Sequence, residues 1–166
     1  MYCIYTDGAC SNNIRGCGIG GFSAIITGEK DRILKTIGGS QKNTTNNRME
    51  LWAVIAGLKG LSHLINHKTS QINCNIYSDS KYVVENWNDY IENWVEHGWR
   101  RSNNKKVINV DLWKILYPMV YEFKIVKFYW IKGHQNNKLN ELADKTAVKF
   151  VNKLKKWIEY EKYEVS

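Results

Sequence analysis

The chain has 166 residues, enough for one domain that buries roughly 70% of its unfolded surface, so no disulfide framework or structural metal is required. Its 24 Lys and Arg outweigh 16 Asp and Glu, and the net charge of +8 points to a polyanionic partner, with seven Trp and ten Tyr available for packing or stacking. No apolar run approaches the ~18 residues that span a bilayer, the N-terminus lacks the layout of a signal peptide, and Cys3, Cys10, Cys17 and Cys74 lack the paired spacing of a zinc site. These features describe an intracellular protein with reduced thiols, cytoplasmic or, in a eukaryote, nuclear, and without a membrane partner.

Tyr2 to Asp7 reads as a short strand ending in a carboxylate, with Gly8 letting the backbone turn away. Ser11 to Gly21 is rich in Asn and Gly and reads as a turn. Phe22–Thr27 and Arg32–Ile37 then suit second and third strands of an antiparallel meander closed by Gly38 and Gly39. Thr44 to Asn47 is a run of helix-capping residues, and Asn47 with Glu50 has the cap-then-acid spacing. Leu51, Val54, Ile55, Leu58 and Leu61 recur at helical intervals, so a helix is expected from about Thr45 to Leu61 with Glu50 in its first turn, on the flank of the apolar stripe. Such a carboxylate is costly to bury unless paired or bound to a cation.

Ile72, Cys74 and Ile76 alternate toward Asp79, a second acid at a strand end. A helix from Ser80 breaks and restarts near Asn88, and a basic segment runs from Arg100 to Lys106. Val110–Tyr121 reads as a helix behind the cap-like Asn109. Phe123–Ile131 is a fifth strand, and a long amphipathic helix follows from about Asn140. Three strands, helix, strand, helices, strand and helix specify an α/β fold, a five-stranded mixed sheet flanked by helices.

Asp7 and Asp79 at strand ends, Glu50 in its helix and Asp144 near the start of the last helix form the candidate site, since acids at strand ends collect where strands release into loops. Brought together, these charges repel unless a cation neutralises them. An all-oxygen set favours Mg²⁺, or Mn²⁺ as a substitute, over zinc. Two such ions activate water and stabilise a leaving oxygen in phosphodiester cleavage.

Five blocks carry a further resemblance: Thr6–Cys10, Thr44–Leu51, Tyr77–Val83, Trp130–His134 and Asn140–Asp144. In this order, spread from Tyr2 to about Val151, they resemble type 1 ribonuclease H. The resemblance implies the ribonuclease H-like fold for residues 1–151, with 152–166 as a helical extension of the same domain. It also implies endonucleolytic cleavage of the RNA strand of RNA–DNA hybrids by two metal ions, giving 5′-phosphate and 3′-hydroxyl ends. Asp7, Glu50, Asp79 and Asp144 match the family's metal-binding carboxylates. His134 matches its loop histidine, associated with proton transfer or product release.

Trp94, Trp99, Arg100, Arg101, Lys105 and Lys106 fall in what looks like the family's basic protrusion, whose cations meet DNA phosphates. Trp94 and Trp99 read equally as anchors of that protrusion. Thr45 and Asn109 match positions that hold a DNA phosphate, and Asn13, Asn46 and Asn47 match polar residues of the minor groove. Asn46 and Asn47 read equally as caps. Ile14–Arg15 departs from the family's usual Pro and Gly, and Tyr90 replaces a frequent Trp.

The expected protein is a free-standing monomer with no separate hybrid-binding domain ahead of it. Two rival readings remain: a catalytically silent hybrid-binding module, and a nuclease domain from a reverse transcriptase or a related DNA-cutting enzyme.

Overall fold

The computed structural model describes residues 1–11, 18–133 and 137–164, with side chains through residue 159. The strands are β1 (Tyr2–Cys10), β2 (Gly18–Thr27), β3 (Ile33–Thr44), β4 (Asn73–Ser78) and β5 (Ile125–Trp130). The helices are α1 (Asn46–Leu64), α2 (Lys81–Glu85), α3 (Ile91–Glu96), α4 (Val110–Tyr121) and α5 (Lys138–Glu164), with a π turn at Asn86–Tyr90 between α2 and α3. One sheet takes the order β3-β2-β1-β4-β5. The β1–β2 and β2–β3 pairs are antiparallel, whereas β1–β4 and β4–β5 are parallel.

Alternation along β1 sends successive side chains to opposite layers. Ile4 enters the larger core, where Ile26 and Ile76 meet Leu51, Val54 and Leu58 of α1 and Trp113 and Leu116 of α4. Tyr5 enters the smaller core with Ile25 and Ala143, under α5. The sheet is thus a middle layer, with α1 and α4 on one side and α5 on the other.

Four expectations need correction. β1 does not end at Asp7; it continues to Cys10, paired with β2. What ends there is the parallel ladder, whose last pair is Thr6 with Ser78. Gly8 therefore serves contact rather than a turn: a Cβ on it would lie 2.4 Å from the Glu50 nitrogen, so only glycine lets α1 come this close to β1. Second, β2 starts at Gly18 and β3 runs past Gly38–Gly39 to Thr44. A Cβ on Gly38 would meet the Phe150 ring of α5 at 2.1 Å, so this glycine makes room for a helix and does not mark a turn.

Third, Thr45 caps α1, its hydroxyl accepting from the Arg48 N–H at 3.4 Å, and Glu50 stands in the second turn. Asn46 and Asn47 lie inside the helix. Fourth, β5 is shorter than expected, because Phe123 turns into the core ahead of it.

The expected break near Asn88 is the π turn, a feature often found near functional positions. No helix among the described residues is long and apolar enough to cross a membrane.

Candidate active site and nucleic-acid interface

Asp7 sits within β1 just past its last parallel pair, where β1 stays paired with β2 on one side while β4 stops and turns away on the other. Strand order reverses here, and the crevice at such a point is where open α/β sheets bind ligands. Into it come Asp7 from β1, Glu50 from α1 and Asp79 from the end of β4. One oxygen from each lies within 4.8 Å of the other two. Asp144, half-buried on α5, stands within hydrogen-bonding reach of Asp7 from the opposite layer. The four expected acids, carried by elements on both faces of the sheet, therefore meet in one place.

Asp7 is 6% exposed and Glu50 4%. Burial, and then the charges of Asp79 and Asp144, push the Asp7 carboxyl up to about 8. Burial and the charges of Asp7 and Asp79 raise Glu50 well above the usual carboxylate range. Backbone N–H from Gly8 to both acids offsets only part of this. The Asn46 amide donates to Glu50 Oε1 at 3.4 Å, but Glu50 Oε2 is buried with no partner among the described residues. A hard divalent cation fits this set: every donor is a carboxylate oxygen, and a bound ion would supply the missing partner and offset the repulsion.

The supports of Asp79 were not visible in the sequence. The Trp130 indole donates to the Asp79 carbonyl at 3.0 Å, fixing its backbone, and Lys81 stacks over that indole at 5.1 Å. The Asn140 amide donates to Asp79 Oδ2 at 3.3 Å. Asn140 lies one turn before Asp144, so the four-residue spacing on one helix face was the available signal. His134 and Asn13 lie outside the described residues.

A second polar group stands at the start of α1. Arg48 grips both carboxylate oxygens of Asp111 at 3.0 and 2.7 Å and donates to Asn109 Oδ1 at 3.4 Å. Asn109 adopts a left-handed backbone (φ 57°), which Asn tolerates better than most residues, and its side chain does not cap α4. Its amide donates instead to the Tyr82 hydroxyl at 3.0 Å, which also accepts from the Trp113 indole. Thr45, Arg48 and Asn109 are thus held side by side beside the exposed N-terminus of α1. Arg48 and Tyr82 are the members that sequence reasoning missed.

The protrusion comprises α3 and the loop after it. Trp94 is 8% exposed, its ring edge-on to Trp113 at 5.7 Å, so it anchors the protrusion to the core. Trp99 is half-buried and edge-on to Tyr117, its amide bonded to the Trp94 carbonyl. Arg100 and Lys106 bridge at the base of a turn, and Lys105 and Lys106 on its returning arm are exposed. Arg101 is half-buried and lines a cavity of about 510 Å³ with Tyr90, Trp94 and Asn93.

An acid cluster in the crevice of a mixed α/β sheet, flanked by a cationic arm, defines an enzyme of the nuclease class. The RNase H family model matches residues 1–152. A ribonuclease H of Wolbachia sp. subsp. Drosophila simulans (strain wRi) is 44% identical over 148 residues, covering 89% of this chain and 93% of that protein. The chain belongs to the ribonuclease H family. Among solved structures, LC9-RNase H1, a type 1 RNase H with the type 2 active-site motif, superimposes with a TM-score of 0.76 at 28% identity, covering 91% of this chain and 72% of that one. LC11-RNase H1 in complex with RNA/DNA hybrid shares the fold, with a TM-score of 0.71 at 21% identity over 93% of this chain and 99% of that one.

Proposed function

We propose that this ribonuclease H cleaves the RNA strand of RNA–DNA hybrids with Mg²⁺, or Mn²⁺ in its place, held as two ions by Asp7, Glu50, Asp79 and Asp144. The observation that carries this reading is the meeting of one oxygen each from Asp7, Glu50 and Asp79 within 4.8 Å of one another, with Glu50 Oε2 buried and unpartnered among the described residues. Such ions, when bound, polarise a phosphoryl oxygen and lower the pKa of water for in-line attack. The products are then 5′-phosphate and 3′-hydroxyl ends.

The remaining residues orient the substrate. Thr45, Asn109 and Arg48 meet a DNA phosphate beside the α1 N-terminus, where backbone N–H groups already favour an anion. Lys105 and Lys106, with Arg100 and Arg101 across the turn from them, attract the backbone of the DNA strand. Trp94 and Trp99 keep that arm in place. Asn46 and Asn47, with Asn13 by its match to the family, contact the minor groove, where a 2′-hydroxyl distinguishes RNA from DNA. His134 moves a proton or assists product release. The hybrid bound by the LC11 neighbour supports this substrate class. Residues 1–151 form the catalytic domain and 152–166 extend it, and the enzyme acts as a monomer.

The test is to incubate labelled RNA–DNA hybrid, double-stranded RNA and double-stranded DNA with and without Mg²⁺. Cleavage confined to the RNA strand of the hybrid is expected. Binding without cleavage would leave a silent module, and cleavage of double-stranded DNA would place the activity with the DNA-cutting relatives of this fold.

A further inference from the structure

We infer that Asn140 is a positioning residue of the active site, one that fixes which oxygen Asp79 turns toward the cluster. The inference rests on the cation reading above. Asn140 is 2% exposed, in the first turn of α5. Its own place is set by Asn137, whose side-chain oxygen accepts from the Leu139 and Asn140 N–H groups at 3.2 and 3.1 Å. From there the Asn140 amide donates to Asp79 Oδ2 at 3.3 Å.

The same oxygen is closed off from another side. A Cβ on Gly133 would lie 2.8 Å from Asp79 Oδ2, so the backbone after β5 packs directly against it. With Oδ2 occupied, Asp79 presents Oδ1 as its open acceptor. The Trp130 indole on the Asp79 carbonyl removes the remaining backbone freedom. Asp79 is thereby held at both ends before any cation arrives, so a carboxylate beside two buried acids does not swing away from their charge.

Asn140 has a second unfilled role. Its Oδ1 is buried and has no partner among the described residues. A buried carbonyl oxygen left unpaired costs stability unless a donor reaches it. A water on a bound hydrated cation would be a donor of the right kind, so one side chain would orient a ligand with its amide and receive hydration with its oxygen. Partners of this type are worth roughly 10- to 100-fold in metal affinity or activity.

The test uses the full chain as Asn140→Ala and as Asn140→Leu, which keeps the side-chain volume. Mg²⁺ and Mn²⁺ binding is measured by calorimetry without substrate, and kcat and KM are measured on hybrid. Both variants are expected to fold, to bind the ion about tenfold or more weakly, and to lose kcat with KM little changed. A crystal structure of either variant should show the Asp79 carboxylate rotated. Wild-type ion affinity and kcat in a folded variant would overturn the inference, as would an unmoved Asp79. Asp79→Asn separates the two levels of argument: if it binds the ion as wild type does, the cation reading itself fails, whatever Asn140 does.

Discussion

Replacing Asp7 with Asn removes a buried charge that its acidic neighbours repel, and almost none of the side chain's volume. Without divalent cations, that change should make the protein more stable while destroying its activity. Burial and the neighbouring acids raise the folded-state carboxyl to about 8 from an ordinary 3.8. A group raised on folding favours the folded state fully below its unfolded pKa and loses that contribution as pH rises toward its folded value. The wild type should therefore weaken between about pH 4 and pH 8, and at pH 7 the cost attached to Asp7 reaches about 4 kcal/mol at 1.36 kcal/mol per unit. An amide must itself be kept from water, so the net gain in Asp7→Asn is expected at about 2 kcal/mol. For a chain of this length that corresponds to roughly 4–8 °C in Tm.

The assay is thermal and urea unfolding of both proteins in EDTA from pH 4 to pH 8.5. The gain should grow with pH and vanish near pH 4, and added Mg²⁺ should raise the wild type more than the variant. A variant less stable than wild type at pH 8, or a difference independent of pH, would refute the reasoning.

Lys105→Gln with Lys106→Gln should weaken hybrid binding and reduce the slope of log affinity against log salt by about 2, read from titrations at several salt concentrations. An unchanged slope would remove the protrusion from the interface. Gly8→Ala places a methyl group 2.4 Å from the Glu50 nitrogen and 2.6 Å from the Met49 carbonyl carbon. Urea unfolding should show a loss of about 1–3 kcal/mol as α1 is pushed off β1. Asp111→Ala breaks the Arg48 pair, whose members are 25% and 60% exposed. Its cost in unfolding experiments should stay below about 1 kcal/mol, while hybrid affinity falls because Arg48 no longer steadies Asn109.

The sequence made the order of elements and the four acids legible because both are written in local patterns. Apolar periodicity gave α1, β4 and the start of α5, and each acid stood beside a strand end or an apolar stripe. The glycines were less legible. Gly8 and Gly38 have the composition of turns, yet their role is set by Glu50 and Phe150, residues far away in the chain that pack where a Cβ would stand. The cap of α1 was misplaced because Thr45, Asn46 and Asn47 all suit the position; Thr45 takes it by accepting from the Arg48 N–H, while Asn46, inside the helix, turns its amide to Glu50 one turn on. Arg48 and Tyr82 act through partners from other elements, so no local pattern marked them, and Asn140 was marked only by its four-residue spacing from Asp144. Trp94 looked equally like a surface and a core residue in sequence, and its contact with Trp113 shows the core role.

The central claim is that the cluster built on Asp7 holds the cations that make this enzyme cut RNA. The most direct measurement is the cleavage rate of a hybrid labelled on its RNA strand, for wild type and a correctly folded Asp7→Asn, across a Mg²⁺ titration. The account predicts Mg²⁺-dependent cleavage by the wild type and none by the variant at any concentration. Cleavage by Asp7→Asn at the wild-type rate would contradict it.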